Sequence, residues 1–370
     1  MSRIKFFTYH GCLDSGKRRN NSPAADTKTD YIVSVLNRLG YGVDIISRAS
    51  SAESHFIPAY VKTEGNNIHR YFASLKKNKS ILRIFNRWLM EFQFFFWCLF
   101  NIKKGEQIIV YHSLGYDSLF LRLKKIKSVK IIGDIEEIYQ DVSKQDKKKC
   151  KNEYMFIDSC DKYIFPTQLL DQKVNKQQKP SLVIHGVYTT EKNIGEKFSD
   201  GKIYGGTLDP NKGGAAAAAA AAEFLPGNYF VHICGFGDPC QIKSIVADVQ
   251  KRSKAKITFE GEFKGNDYKH FIQKCHIGLS TQNPNAAFNA TSFPSKVLVY
   301  LSNGLKVVSI HIPVIAQSAV ADKLFFYYEQ TPEKIAEAII QASKKEQNGD
   351  EILNDLDMKF SDELSRLVEE

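Results

Sequence analysis

Lys296 stands in the stretch "FPSKVLVYLSNG", where the sequence begins a helix. Pro294 suits a first helical turn, because its missing N–H would have no partner there, and Ser292 is placed to cap it. The first turn is the positive end of the helix dipole, so a cation there is disfavoured unless an anion joins it. A bound phosphate would make the lysine and the N–H groups of the helix start one site. Tyr300, four residues on, shares the face of Lys296. The plainer reading is a lysine whose stem lies on the surface and whose head reaches water.

Three more stretches could meet a ligand. In "YGGTLDPNKGG", residues 204 to 214, Gly205 and Gly206 allow close backbone approach and Lys212 adds an ammonium, a pairing suited to phosphate, although a plain glycine turn looks the same. In "CGFGDP", residues 234 to 239, Gly235 and Gly237 open a tight turn, but Pro239 and Cys240 follow and the dinucleotide pattern G-x-G-x-x-G is not completed. "FEGEF", residues 259 to 263, exposes Glu260 and Gly261 at a strand end. A fourth stretch, "IIGDIEEIYQDV", sets Asp134, Glu136 and Glu137 past another strand. Carboxylates there serve as a general base or hold hydroxyls, or they are simply acids at a helix start.

The elements that must position these residues alternate almost from end to end. Strand-length apolar runs at 4–9, 43–47, 107–113, 129–135 and 162–167 are separated by helical patterns, which predicts βαβ units and a mainly parallel sheet. The polar segment 171–180, closed by Pro180, reads as a linker or a loop at a domain edge, after which strands recur at 181–186, 202–208, 229–237, 256–263, 275–282, 305–309 and 323–328. The expectation is an α/β chain of two Rossmann-like doubly wound domains facing a cleft: residues 1–180, residues 181–346, and a helix at 347–370 that returns to the first domain. Ligands in such sheets bind at the carboxyl ends of strands. Eight alanines at 215–222 predict a helix packed close to the sheet.

With 370 residues, 43% apolar and 25% charged, the chain is of globular composition, which excludes disordered and fibrous classes. A net charge of +10 favours anionic partners. Seven cysteines with no C-x-x-C pair fit reduced thiols and no zinc module. The first residues carry no secretory pattern, so the expected location is the cytoplasm. Residues 70–100 combine lysines and arginines with a run of Phe and Trp too short to span a bilayer. They read either as a helix hairpin in the core with a solvated basic face, or as a segment lying on the inner face of a membrane.

Taken in order, the motifs resemble a glycosyltransferase of the GT-B fold, of the family 4-like or Gtf3-like kind that builds bacterial surface polysaccharide such as lipopolysaccharide or capsule. "YGGTLDPNKGG" is similar to that family's G-R-L-x-x-x-K-G loop, "GFGD" to its G-x-G turn, "FEGEF" to its F-x-G strand end, and "SFPSKVLVYLSNGLKVVS" to its nucleotide-sugar helix. The resemblance implies a nucleoside diphosphate sugar donor in the second domain, held by Gly206, Thr207, Lys212, Gly235, Gly237, Glu260, Gly261, Thr291, Ser292, Ser295, Lys296 and Tyr300. It implies a glycan or lipid-linked acceptor in the first domain, with Asp134, Glu136 and Glu137 as the catalytic carboxylates. No metal, cofactor or nucleic acid is expected. The family's usual arginine is Thr207 here, and its two glutamates fall at Thr291 and Val299, so Lys296 is expected to take over the diphosphate. Two alternatives stand beside this reading: a nucleotide-sugar epimerase of the same fold, and a catalytically silent partner subunit, which Thr207 and Val299 keep in play.

Overall fold

The computed structural model describes residues 2–12, 14–76, 81–142, 147–192, 197–198, 201–208, 213–286, 289 and 291–369. The chain divides into two compact units: Met1–Pro166 with Leu170–Val187 and Phe360–Glu370, and Thr167–Leu169 with Tyr188–Lys359.

The first unit is built on an eight-stranded sheet of β1 (Arg3–Thr8), β2 (Gly42–Ser47), β3 (Tyr60–Glu64), β4 (Asn67–Tyr71), β5 (Gln107–Tyr111), β6 (Lys130–Asp134), β7 (Lys162–Phe165) and β8 (Ser181–Val183). Their order is β3-β4-β2-β1-β5-β6-β7-β8. All neighbours run parallel except the edge hairpin β3–β4. Its two-residue turn uses Gly65 at φ 57°, a conformation that suits glycine and leads the strands back on themselves. Helices α1 (Pro23–Arg38), α2 (Ile81–Asn101), α3 (Asp117–Lys127), α4 (Tyr139–Val142), α5 (Lys147–Ser159) and α6 (Gln168–Val174) connect the strands.

Parallel strands covered on both faces read as unbroken apolar runs, and β5 buries Ile108, Ile109 and Val110 completely. Under the sheet, Phe7 meets Phe120 edge-to-face at 5.0 Å and Phe94 at 5.7 Å. The segment expected to be a linker is the end of α6 and a turn. Leu170 and Val174, four residues apart, both face the core, and β8 pairs with β7.

The second unit carries β9 (Gly201–Thr207), β10 (Phe230–Phe236), β11 (Lys256–Gly261), β12 (Ile277–Ser280), β13 (Lys306–Ile310) and β14 (Phe325–Tyr327), all parallel, in the order β11-β10-β9-β12-β13-β14. Its helices are α7 (Gly214–Ala221), α8 (Cys240–Arg252), α9 (Gly265–Gln273), α10 (Lys296–Ser302), α11 (Pro313–Ala316) and α12 (Pro332–Ser343). The alanines of α7 bury Ala215, Ala218, Ala219 and Ala221, and side chains this small let the helix lie close on the sheet. The last helix, α13 (Gly349–Glu369), has its end in the first unit. There Phe360 stacks on Tyr31, and the carbonyls of Leu367 and Val368 accept hydrogen bonds from Lys162 and Gln107.

Candidate functional site

Chain order reverses direction in the second sheet between β9 and β12, and at such a point the connections leave on opposite sides and open a crevice at the carboxyl ends. The residues that gather there come from β9, β10 and the start of α10. The ammonium of Lys296 lies 4.1 Å from the centre of the Tyr204 ring. It also fills the space beside Gly206, where a Cβ would come within 3.1 Å of Nζ. A Cβ at Gly235 would fall 1.9 Å from the carbonyl oxygen of Gly206, so this position near the end of β10 is glycine because the backbone of β9 occupies the side-chain position.

The other glycines here have a different cause. A Cβ on Gly205 would meet the Tyr268 hydroxyl at 2.3 Å, one on Gly214 the Tyr204 hydroxyl at 2.8 Å, and one on Gly278 the Tyr300 ring at 2.2 Å. Three tyrosine rings therefore fill the spaces these glycines leave, an arrangement that sequence reasoning missed. Tyr300, expected to face a ligand beside Lys296, is instead fully buried, and its hydroxyl accepts the Gly205 N–H at 2.8 Å. It braces the end of β9. Burial pushes the Tyr204 phenol up to about 12, so it is neutral beside the lysine.

Helix α10 begins at Lys296, with Ser295 in the N-cap position and no side-chain capping bond. Ser292 does not cap it, because the residue before Pro294 is driven away from helical geometry and the helix starts only after the proline. Thr291 and Ser292 are half-buried in the loop before it, where the Thr291 carbonyl accepts a hydrogen bond from Thr167. That loop is pinned from within by buried amides: Gln282 donates to Asn289 at 2.8 Å, and Asn289 donates to the carbonyls of Asn283 and Pro284. Polar side chains closing a loop on itself were legible only as composition.

Farther along the sheet edge, Glu260 is the extra residue of a bulge between β10 and β11, followed by Gly261 at φ 83°. Its carboxylate accepts from Thr258 and lies 2.8 Å from His232 Nδ1. Rings of Phe230 and Phe198 stack on that histidine at 4.0 and 4.8 Å, and burial lowers its pKa. Glu260 is thus tied inward, with about a quarter of its side chain exposed. Gly237 adopts φ 122°, and beside it Asp238 accepts the Cys240 N–H at the start of α8. Lys212 lies outside the described residues, as does the side chain of Thr207.

In the first unit, Asp134 has no solvent exposure and its carboxylate is held by Lys28 at 3.1 Å. Burial pushes it up despite that partner. A base must reach the proton it takes, so Asp134 is an internal ion-pair partner and leaves Glu136 and Glu137 as the carboxylates that reach solvent. Glu136 pairs with the same lysine. Burial, then the neighbouring Glu136 charge, raises the Glu137 pKa. At the end of β5, fully buried His112 lies 3.6 Å from Glu153 and 4.0 Å from Asp117.

No protein-family model matches the chain, and no curated protein matches it. Solved structures do. The chain is similar to a sucrose-phosphate synthase from Thermosynechococcus elongatus, with a TM-score of 0.67 at 13% identity over 100% of this chain and 98% of that one. It is similar to a trehalose-6-phosphate protein from E. coli bound with UDP-2-fluoro glucose, with a TM-score of 0.62 at 10% identity over 97% and 96%. A third is an alpha,alpha-trehalose-phosphate synthase (UDP-forming) from Burkholderia xenovorans in complex with glucose-6-phosphate, with a TM-score of 0.60 at 12% identity over 98% and 97%. At such identities the likeness carries the fold, which is GT-B.

Proposed function

We propose that this chain is a glycosyltransferase that moves a sugar from a nucleoside diphosphate donor to a sugar-bearing acceptor. The observation that carries the reading is the Lys296 ammonium beside Gly206, at the carboxyl end of the strand where the second sheet reverses its order. A cation held there by a tyrosine face and a side-chain-free backbone is suited to a diphosphate. As the glycosidic bond to the donor breaks, negative charge collects on the departing phosphate, and a preplaced ammonium stabilises that charge more than the ground state. On this reading Lys296 does its work without a metal ion.

The acceptor belongs to the first unit. Glu136 is engaged by Lys28, so Glu137 is the better placed of the two solvent-reaching carboxylates to take a hydroxyl proton, and burial raises its pKa in the direction a base needs. The GT-B neighbours support the class of donor, since one of them is bound with a UDP sugar. The motif resemblance favours a glycan or lipid-linked acceptor in the bacterial cytoplasm, within surface polysaccharide synthesis; the neighbour with glucose-6-phosphate makes a sugar phosphate the competitor.

The test is release of free nucleoside diphosphate from a panel of nucleotide sugars, with and without lipid-linked and phosphorylated sugars. Release that depends on an acceptor supports transfer. Conversion of the donor sugar with no acceptor present would replace transfer by epimerisation, and no turnover with any donor would leave the silent-subunit reading in its place.

A further inference from the structure

Residues 81–101 form one continuous helix, not a hairpin, and the face it turns to solvent is aromatic rather than basic. Met90, Phe94 and Cys98, at helical spacing, bury one side of α2 in the core of the first unit. On the opposite side, Phe85, Trp88, Phe92, Phe96 and Phe100 follow one another at intervals of three or four residues and stay 68, 70, 65, 39 and 82% exposed. The last three rings contact each other, Phe92 to Phe96 at 4.4 Å and Phe96 to Phe100 at 6.4 Å, so that part of the stripe is contiguous. Isolated exposed apolar residues are ordinary, but a row of five aromatic rings along a helix about 31 Å long needs a partner.

Charge identifies the partner. Arg83 and Arg87 are exposed at one end of α2, and Lys103 and Lys104 are exposed just past the other. The single acid of the helix, Glu91, is engaged by Arg48 at 2.8 Å and Arg87 at 3.3 Å. Arg83 and Arg87 fall eleven and seven residues before buried Phe94 and so lie on the side away from the stripe; the cations next to the rings are Lys103 and Lys104, just past Phe100, and with no acid among the ring positions this is the pattern of an interfacial helix on an anionic surface. Spanning is excluded for this helix by its packed face, and no helix among the described residues is long and apolar enough to cross a membrane. We infer that the outer face of α2 docks the protein on an anionic lipid bilayer, with the aromatic rings at the level of the headgroups and acyl boundary and Lys103 and Lys104 against lipid phosphates. The inference concerns the first unit alone and does not depend on the donor reading.

Flotation of the full chain with vesicles tests it, using phosphatidylcholine alone and phosphatidylcholine mixed with phosphatidylglycerol. The expected result is binding to the mixed vesicles that weakens with salt, with little binding to phosphatidylcholine alone. Trp88→Ser with Phe92→Ser, both at exposed positions, should lower binding by on the order of a hundredfold. Lys103→Glu with Lys104→Glu should lower it by about tenfold or more. In a Trp97→Phe background, emission from Trp88 should shift to the blue on mixed vesicles. Equal binding to both vesicles, or none to either, overturns the inference; so does a dimer in sedimentation that the Trp88/Phe92 pair dissociates without any vesicle binding. The same variants should keep their response to nucleotide, which separates failure here from failure of the donor assignment.

Discussion

Lys296 and Gly206 meet at the carboxyl end of β9, close enough that a single methyl group on the glycine would stand 3.1 Å from the ammonium nitrogen. Gly206→Ala should therefore push the lysine off its position over Tyr204 and weaken nucleotide binding, with a stability cost that comes from the glycine's φ of 158° and not from the flexible lysine end. Gly235→Ala is a different case, since its Cβ would lie 1.9 Å from a backbone oxygen that cannot yield cheaply. It should cost about 1–3 kcal/mol or more of stability, read by chemical denaturation. Equal and small effects of the two substitutions on both readouts would contradict this packing.

Tyr300→Phe removes the acceptor of the buried Gly205 N–H and changes nothing in the ring's packing. The unpaired group should cost about 1–3 kcal/mol. Because Gly205 leads directly into Gly206, nucleotide affinity should fall as well, which calorimetric titration would detect. A Tyr300 that contacted the ligand directly would lose affinity without losing stability.

Lys28 is buried between Asp134 and Glu136, and both carboxylates hold its ammonium charged despite burial. Lys28→Met should destabilise by about 3–5 kcal/mol, because it leaves a buried carboxylate without its cation. Adding Asp134→Asn should return part of the loss. If the double variant unfolds at the same denaturant concentration as the single one, the cluster is not the source of the penalty.

Asp117 gives a pH dependence whose direction is fixed by its surroundings. Burial, then the Glu153 charge, pushes its carboxyl up to about 7, above an unfolded value of about 4. As pH rises through that window the unfolded chain gives up its proton first, so the wild type loses stability, by up to about 4 kcal/mol, and the loss is complete above 7. Burial drives His112 the other way, down to about 4, so its contribution is lost as pH falls from about 6.5 to 4. Since Asp117→Asn retains that histidine, its melting temperature relative to wild type should climb steadily between pH 4 and 7. A constant gap across that range contradicts the assignment.

Much of the architecture is legible in the chain because parallel strands buried on both faces leave unbroken apolar runs such as "IIVY" and "YIF". The edge hairpin is not, since "YVKTE" and "NIHRY" carry polar residues throughout, and only Gly65 marks its turn. At the site, Lys296 and Gly206 can each be picked out, but their meeting depends on a sheet order that brings β9 beside β12. The tyrosines behind Gly205, Gly214 and Gly278 leave no local mark at all, because a glycine that makes room for a ring looks the same in sequence as one that makes room for a phosphate. For α2 the spacing of the outward rings is present in the sequence, but the basic residues around it fit a solvated face as well as a membrane surface.

The central claim is that Lys296 anchors a diphosphate at the end of β9, and calorimetric titration of uridine and guanosine diphosphates into wild type and Lys296→Ala tests it most directly. At least one diphosphate should bind the wild type, and the variant should lose on the order of tenfold to a hundredfold in affinity with its melting temperature unchanged. Equal binding by both proteins would show that the anchor lies elsewhere, and no binding by the wild type would remove the donor site from this unit altogether.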